Sequence, residues 1–182
     1  MAKEKMTHGA MWIRLGVARA ELCVNATLQN GQCFGWRRID DFWRGVISDE
    51  VIDLKTDSAD TSFRRITPRD SRTSAEVASW LRDYFQLSTP LSPLYKIWAA
   101  ADARFSGLAT CVPGMRVIRQ EPLECLVSFI SSSNNNIPRI KKMIESLRQT
   151  YGASIGAEEF AFPTLDQLKQ ADEDSLRRLG FG

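Results

Sequence analysis

Three consecutive asparagines and a nearby arginine form the most chemically suggestive cluster in the sequence: Asn134, Asn135 and Asn136, followed by Arg139. An asparagine amide both donates and accepts hydrogen bonds, and a guanidinium donates in a planar fork. Such a set can therefore bond to the edges of nucleic-acid bases. Short polar side chains between helices also serve as caps and turn residues. The residues alone favour this capping role, and base recognition stays open as the second interpretation.

Two predicted helices flank the polar residues 131–136, which we call the elbow. Pro122 suits the first turn of a helix, where its missing N–H is no loss, and apolar residues then recur at helical spacing over 123–130. A second helix is expected to begin near Asn136, with the same apolar spacing over 140–147. The sequence therefore predicts two amphipathic helices joined by the elbow.

The segment RQEPLECLVSFISSSNNNIPRI, residues 119–140, resembles the corresponding stretch of eukaryotic 8-oxoguanine DNA glycosylases. Further similar motifs are GQCFGW at 31–36, TPRD at 67–70, YFQL at 84–87 and LRRLGFG at 176–182. The resemblance covers nearly the whole chain, which is identified on these motifs as a member of that family.

The resemblance implies roles for four residues. Asn134 corresponds to the asparagine that fills the gap left by a flipped base and contacts the opposite cytosine. Arg139 corresponds to one of two arginines that read this cytosine, and the adjacent Asn135 is a further candidate contact. Gly31 corresponds to the glycine whose carbonyl accepts the N7–H of 8-oxoguanine. Normal guanine has an acceptor at N7 and would be repelled by that carbonyl. On its own, Gly31 is simply a turn residue.

The predicted fold class is α+β. Strand-sized segments separated by Asp, Ser and Gly favour an antiparallel meander over residues 12–15, 21–24, 34–37, 42–47, 51–56 and 61–66. The resemblance implies that this sheet and its helices resemble half of the TATA-binding protein. It also implies that an incomplete all-α helix-hairpin-helix glycosylase domain follows.

Helix signals and one breaker give the expected domain organisation. Capping boxes begin helices at Thr73 and at Thr164, and Gly152 is expected to stop the helix after the elbow as a C′ glycine. The Val-Pro-Gly sequence at 112–114 breaks the pattern. The expected domains are therefore residues 1–114 and residues 115–182.

Composition describes an ordinary globular protein, with 43% hydrophobic and 25% charged residues and a net charge of +2. The cysteines form no CxxC pair and His8 is the single histidine, so no metal site and no cofactor are expected. Reduced, mostly buried thiols are expected instead. Residues 1–10 are predicted to be a polar tail, and no apolar run is long enough to span a membrane. The resemblance implies a monomer that binds double-stranded DNA containing oxidised guanine in the nucleus, with mitochondria as a second compartment.

The resemblance also implies a DNA glycosylase and AP lyase of base excision repair whose catalytic lysine follows a hairpin of the LPGVG-K type. No lysine of this sequence follows such a hairpin, and no catalytic residue is assigned. The sequence is therefore interpreted as the N-terminal portion of such an enzyme. The alternatives left open are a non-catalytic DNA-binding or regulatory isoform, a glycosylase for alkylated bases and a protein-interaction module.

A second departure from the family lies in the GQCFGW motif. The family commonly has arginine between the phenylalanine and the tryptophan, where this chain has Gly35. This difference calls the geometry or the stability of that loop into question, while the contact assigned to Gly31 uses only its backbone.

The missing hairpin gives the first prediction. We expect the 182-residue chain neither to excise 8-oxoguanine nor to be trapped on lesion-containing DNA by borohydride, because trapping requires a lysine amine that forms a Schiff base. The measurement is gel electrophoresis of the chain incubated with an 8-oxoguanine duplex and borohydride. A covalent adduct would contradict the prediction, and peptide mapping would then identify the reacting lysine.

Overall fold

The computed structural model describes residues 11–68 and 70–181. The predicted tail 1–10 with His8, Arg69 of the TPRD motif and Gly182 lie outside the described residues.

Five antiparallel strands form one sheet in the spatial order β1-β5-β4-β3-β2. The strands are β1 Ile13–Ala18, β2 Trp36–Ile39, β3 Phe42–Ile47, β4 Glu50–Thr56 and β5 Asp60–Arg65. Strands β2 to β5 follow one another as a meander, and β1 pairs with β5. The predicted α+β class and meander are confirmed.

The strand predicted at 21–24 is wrong. The N–H groups of Glu21 and Leu22 both donate to the carbonyl of Ala18, which closes a turn directly after β1. The chain then enters a short helix, α1 Val24–Leu28, whose buried residues pack beside the sheet. The turn uses the backbone groups that a strand would need for pairing.

Helix α2, Ser74–Tyr84, covers one face of the sheet. It begins at the predicted capping box, in which Thr73 and Glu76 bond to each other's backbone N–H groups. Val77 and Leu81 are fully buried, and they belong to the same apolar cluster as Phe63 of β5. This cluster is the main core of the protein.

Helices α3, Leu91–Ala101, and α4, Ala103–Cys111, form a hairpin whose side chains remain largely exposed. Asp102 caps α4 by accepting a hydrogen bond from the N–H of Arg104. The two helices contact each other through three aromatic rings with centroids 5.4 to 6.0 Å apart, those of Tyr95, Trp98 and Phe105.

Residues 112–120, which we call the connector, carry the chain from this hairpin to the elbow helices. The connector lies against the segments that precede α1 and follow α2, where the side chain of Arg116 is buried. Arg116 donates to the carbonyls of Glu21, Gln86 and Thr89, and its guanidinium also bonds to the Glu21 carboxylate at 2.8 Å. The expected domain limit at 114 stays a prediction.

The predicted elbow helices are α5 Pro122–Ser131 and α6 Ile137–Tyr151. Pro122 occupies the first position of α5, and Asn136 is the N-cap of α6. The remaining elements are β6 Ser154–Gly156, β7 Glu159–Phe160, α7 Leu165–Leu168 and α8 Glu173–Arg178. Strands β6 and β7 form a two-stranded hairpin that the sequence did not predict.

The two apolar helix faces have different environments. The face of α6 is buried and packs partly against Phe34 and Val127, with Ile144 at 0% exposure. The predicted face of α5 is largely open, because Leu126 is 54% and Ile130 is 62% exposed. Helix α5 instead turns Ser128 and Ser131 inward. The periodic pattern correctly predicted two helices, but it did not predict which side of α5 is buried.

Two smaller expectations have separate outcomes. The capping box at Thr164 is confirmed. Gly152 ends α6 with φ of −77°, so it is no left-handed C′ residue. A Cβ at Gly152 would lie 2.1 Å from the carbonyl oxygen of Ala161, so close packing is what requires glycine there.

The expectation of mostly buried thiols is wrong for half of the cysteines. Cys23 and Cys33 are buried, whereas Cys111 and Cys125 are exposed. Both exposed cysteines lie in the helices α4 and α5, each of which leaves much of its surface open. Among the described residues, no helix has the length and apolar character needed to cross a bilayer.

The Glu21–Arg116 contact gives a pH-dependent prediction. Burial acts to raise the pKa of Glu21, but hydrogen bonds from Ser92 and from the N–H of Leu91, together with Arg116, outweigh it and lower the pKa below its ordinary value of 4.5. Folding therefore favours the ionised carboxylate. Its stabilisation is complete above pH 4.5 and is lost as the pH falls through the lowered pKa.

We expect Glu21→Gln to reduce the free energy of unfolding at neutral pH by about 1.5–3 kcal/mol, the range for a hydrogen bond to a charged group. The difference from the parent should shrink as the pH falls below 4.5. Urea unfolding over a pH series measures this, with Glu173→Gln on exposed α8 as the control that changes stability by less than about 0.5 kcal/mol. A difference that stays constant with pH would contradict the assigned role of Glu21.

Candidate nucleic-acid interface

Asn136 serves as the cap that its residue type predicts. Its side-chain oxygen accepts a hydrogen bond from the N–H of Arg139 at 3.0 Å, which satisfies one of the free donors at the start of α6. Pro138 lies in the same first turn, where it needs no N–H partner. The capping interpretation therefore holds for Asn136, and it fixes the backbone of Arg139.

Asn135 holds the elbow together from inside. Its amide nitrogen donates to the carbonyl of Ser131 at 2.9 Å and lies 3.3 Å from the sulfur of Met143. Its side-chain oxygen accepts from the N–H of Asn136 at 2.9 Å. The side chain is half-buried and its hydrogen-bonding groups are occupied, so a base contact by Asn135 would have to break these bonds. That contact stays a prediction.

Asn134 has the opposite character. Its φ of +47° lies in the left-handed region, which asparagine tolerates better than most residues do. The side chain is exposed, and its amide has no hydrogen-bond partner within residues 11–68 and 70–181. The tight elbow therefore presents one complete amide, with donor and acceptor, to solvent.

Arg139 is the exposed cation nearest to this amide along the chain. Its guanidinium donates one bond, to the carbonyl of Gly180 at 3.2 Å, and its backbone is fixed by the cap. Lys141 and Lys142 follow on the same helix and are also exposed. The start of α6 therefore presents a positively charged surface.

Gly31 lies against the start of α6 although the two are far apart in sequence. Its φ is +83°, and a Cβ built there would lie 2.7 Å from Cδ1 of Ile137. Ile137 is the first residue of α6 and is 50% exposed, so this contact lies at the surface. The structure thus brings Gly31 beside the segment that carries Asn134 and Arg139.

Gln32 holds the Gly31 turn to the connector. Its amide nitrogen donates to the carbonyls of Thr27 and Arg116, each at 2.8 Å. Its amide oxygen accepts from the N–H of Ile118 at 3.0 Å, and its backbone carbonyl accepts from the Gln120 amide at 2.7 Å. Since the connector leads directly into α5, these bonds fix the Gly31 turn relative to the elbow helices.

Cys33 is the potential nucleophile closest in sequence to Gly31, and its environment keeps it protonated. Burial raises the pKa of its thiol to about 12, and the Glu124 carboxylate adds to this effect while Lys141 opposes it. Among the described residues, no cluster of His, Cys, Asp or Glu is arranged to hold a metal ion. The surface formed by Gly31, Asn134 and Arg139 offers hydrogen bonds and positive charge.

Sequence reasoning missed the residues that join the predicted ones. Ile137 and Gln32 do so by packing and by hydrogen bonding respectively. A signal for Gln32 was present, because a glutamine directly before the apolar pair Cys33–Phe34 needs buried partners for its amide. Two of those partners, Arg116 and Ile118, lie more than 80 positions away, where no residue pattern identifies them.

Comparison with known proteins gives consistent matches. The sequence family described as 8-oxoguanine DNA glycosylase, N-terminal domain, matches residues 14–126. An N-glycosylase/DNA lyase of Arabidopsis thaliana is 36% identical over 187 residues, covering 99% of this chain and 51% of that relative. The chain spans about half the length of the curated relatives that it matches.

Solved structures agree with these sequence matches. The 8-oxoguanine glycosylase/lyase of Clostridium acetobutylicum, in complex with double-stranded DNA containing cytosine opposite 8-oxoguanine, has a TM-score of 0.83 and 26% identity. That match covers 97% of this chain and 59% of the other. A 3-methyladenine DNA glycosylase of Archaeoglobus fulgidus, with a TM-score of 0.69 and 16% identity over 94% of this chain and 62% of its own, shares the fold alone.

The Gln32 contacts give a prediction for this surface. Gln32→Leu should lower the free energy of unfolding by about 2–4 kcal/mol, because it leaves buried carbonyl and N–H groups of the connector without partners. Urea denaturation is the measurement. Gln149→Leu on the exposed side of α6, where the amide bonds only to Glu145, is the matched control. Equal effects of the two substitutions would show that the bonds of Gln32 do not hold the connector.

Proposed function

This chain belongs to the 8-oxoguanine DNA glycosylase family, and from that premise we propose that it contributes the lesion-binding surface of a base excision repair glycosylase and AP lyase. The proposed substrate is 8-oxoguanine paired with cytosine in duplex DNA. Gly31 contacts the flipped lesion, and Asn134 and Arg139 contact the cytosine left behind. The chain acts as a monomer on nuclear DNA, with mitochondrial DNA as a second target.

One observation carries the proposal. The Gly31 turn packs against Ile137, so the Gly31 carbonyl, which is the proposed acceptor for the lesion, lies beside the segment of Asn134 and Arg139, which are the proposed contacts of the cytosine. Recognition of a flipped base needs both, because the base enters a pocket while its former partner stays in the duplex. The distance between the two sites is fixed by packing and by the bonds of Gln32.

The carbonyl of Gly31 distinguishes the lesion by hydrogen-bond polarity. 8-Oxoguanine carries a hydrogen on N7, which a carbonyl oxygen can accept, whereas guanine presents a lone pair there. A buried pairing of two acceptors leaves both without a partner and costs about 1–3 kcal/mol. Glycine suits this position because its left-handed backbone, with φ of +83°, is strained for other residues.

Asn134 and Arg139 act on the opposite strand. The exposed amide of Asn134 is available to bond to the orphaned cytosine, which offsets part of the cost of flipping. Arg139 has one bond, to the Gly180 carbonyl at 3.2 Å, and its remaining guanidinium donors face solvent. Those donors match the acceptor groups of cytosine.

The proposal predicts how Arg139→Gln changes binding. Fluorescence anisotropy should show that the parent chain prefers duplexes with cytosine opposite 8-oxoguanine over those with adenine, guanine or thymine. Loss of the guanidinium contact should reduce this preference by about 5- to 150-fold, equivalent to about 1–3 kcal/mol. Asn134→Ala should instead weaken binding to all four lesion duplexes, because it removes the group that fills the vacated space.

Arg104→Gln, which removes one exposed positive charge from the α3–α4 hairpin, is the matched control. It should leave the preference among opposite bases unchanged. If Arg139→Gln weakens binding to all four duplexes equally, Arg139 contacts phosphate or holds α8, and base reading is excluded. Equal affinity of the parent for lesion and undamaged duplexes would refute the proposed function.

A further inference from the structure

The space in which a side chain at position 35 would lie is occupied by a side chain from helix α6. A Cβ at this position would lie 2.7 Å from Nη2 of Arg148 and 3.2 Å from Oε1 of Glu124. Gly35 directly precedes β2, whereas Arg148 belongs to α6 and Glu124 to α5. The space beside Gly35 is therefore occupied by a guanidinium that reaches it from the far end of α6.

Arg148 is held there as a buried cation. It is 3% exposed, donates to the Phe160 carbonyl at 3.0 Å and forms a 2.6 Å ion pair with Glu124, whose side chain is 14% exposed. Its guanidinium carbon also lies 5.7 Å from the ring centroid of Phe162. A charge buried to this degree is strongly destabilising once its partner is removed, so Arg148 and Glu124 depend on each other.

The ion pair joins the two helices at the end opposite the elbow. Glu124 is in the first turn of α5 and Arg148 is in the last turn of α6, whereas the elbow connects the other ends of these helices. The same pair contacts Gly35, four positions after Gly31. The ion pair therefore lies between the Gly31–Gly35 segment, α5 and α6. The relative placement of these three segments determines the surface of Gly31, Asn134 and Arg139.

We propose that the guanidinium of Arg148, supplied from α6, fills the space beside Gly35, and that its pairing with Glu124 positions the Gly31 turn relative to the elbow. An arginine at position 35 would be an alternative source of this guanidinium, because it would meet and repel the guanidinium of Arg148, which the Phe160 carbonyl and Glu124 hold in place. A groove of about 400 Å³ between β2 and α6, lined in part by Gly35 and Arg148, gives room for an arginine at position 35 once residue 148 is small.

The relevance of this ion pair to DNA rests on the proposed function, whereas the pairing itself does not. Arg148 is thus a positioning residue, and its role can be tested on the 182-residue chain without DNA. The experiment is a double-substitution cycle with the parent, Gly35→Arg, Arg148→Ala and the combined variant. Thermal unfolding and the amide chemical shifts of Gly31 and Asn134 are measured for each.

Each single substitution should lower the unfolding temperature by roughly 5 °C or more, Gly35→Arg by placing a second cation against Arg148 and Arg148→Ala by leaving the half-buried Glu124 without its cation. The combined variant should be more stable than either single variant. Its Gly31 and Asn134 amide shifts should return toward the parent values, which a merely stabilising role elsewhere would not produce. Gly35→Arg together with Arg104→Ala is the control, since it removes an exposed positive charge of α4 that takes no part in the Glu124–Arg148 pair and should give no rescue.

Additive effects of the two substitutions would overturn the proposal, as would restored stability with amide shifts that remain displaced. If Arg148→Ala is insoluble, recovery of soluble protein on adding Gly35→Arg supports the proposal and failure to recover overturns it. Duplex binding by the same variants distinguishes the positioning role of the Arg148–Glu124 pair from the proposed lesion-binding function. A chain that shows the stability rescue but no lesion preference retains the ion-pair role while the proposed function fails.

Discussion

The side-chain amide of Gln32 is the constraint on which the candidate surface depends. The nitrogen and the oxygen of this side-chain amide both form hydrogen bonds with backbone groups. These partners are Thr27 in α1 and Arg116 and Ile118 in the connector. A backbone amide or carbonyl that is buried needs a partner, so the connector can lie only where Gln32 satisfies it. Because α5 begins directly after the connector, the position of the elbow follows from bonds made beside Gly31.

Local signals in the sequence predicted most of the elements and the exposed chemistry. The cap at Asn136, the capping boxes at Thr73 and Thr164 and the meander from 42 to 65 each depend on residues within a few positions of one another. The candidate residues came from the resemblance, and the structure places Gly31 beside the elbow. Their contacts with DNA stay predictions.

The features that the sequence did not predict, such as the buried side of α5 and the turn at Glu21, involve contacts between residues far apart in the chain. The apolar spacing of α5 predicts a buried face that includes Leu126 and Ile130, yet these residues are 54% and 62% exposed, while Glu124 of the same helix pairs with Arg148. Likewise, a turn onto the Ala18 carbonyl replaces the strand predicted at 21–24, and the Glu21 carboxylate in this turn binds Arg116, 95 positions away. A buried arginine can outweigh helix periodicity, since leaving its charge without a partner costs about 3–5 kcal/mol.

The protonated state of Cys33 has a consequence for the chemistry around it. Peroxides and related oxidants attack thiols mainly as thiolates, and a thiol with a pKa of about 12 supplies almost none at physiological pH. The proposed substrate is itself a product of oxidative damage, so the protein has to work where such oxidants are present. A cysteine two positions from Gly31 can therefore remain reduced under the conditions that create the lesion, with burial as its protection.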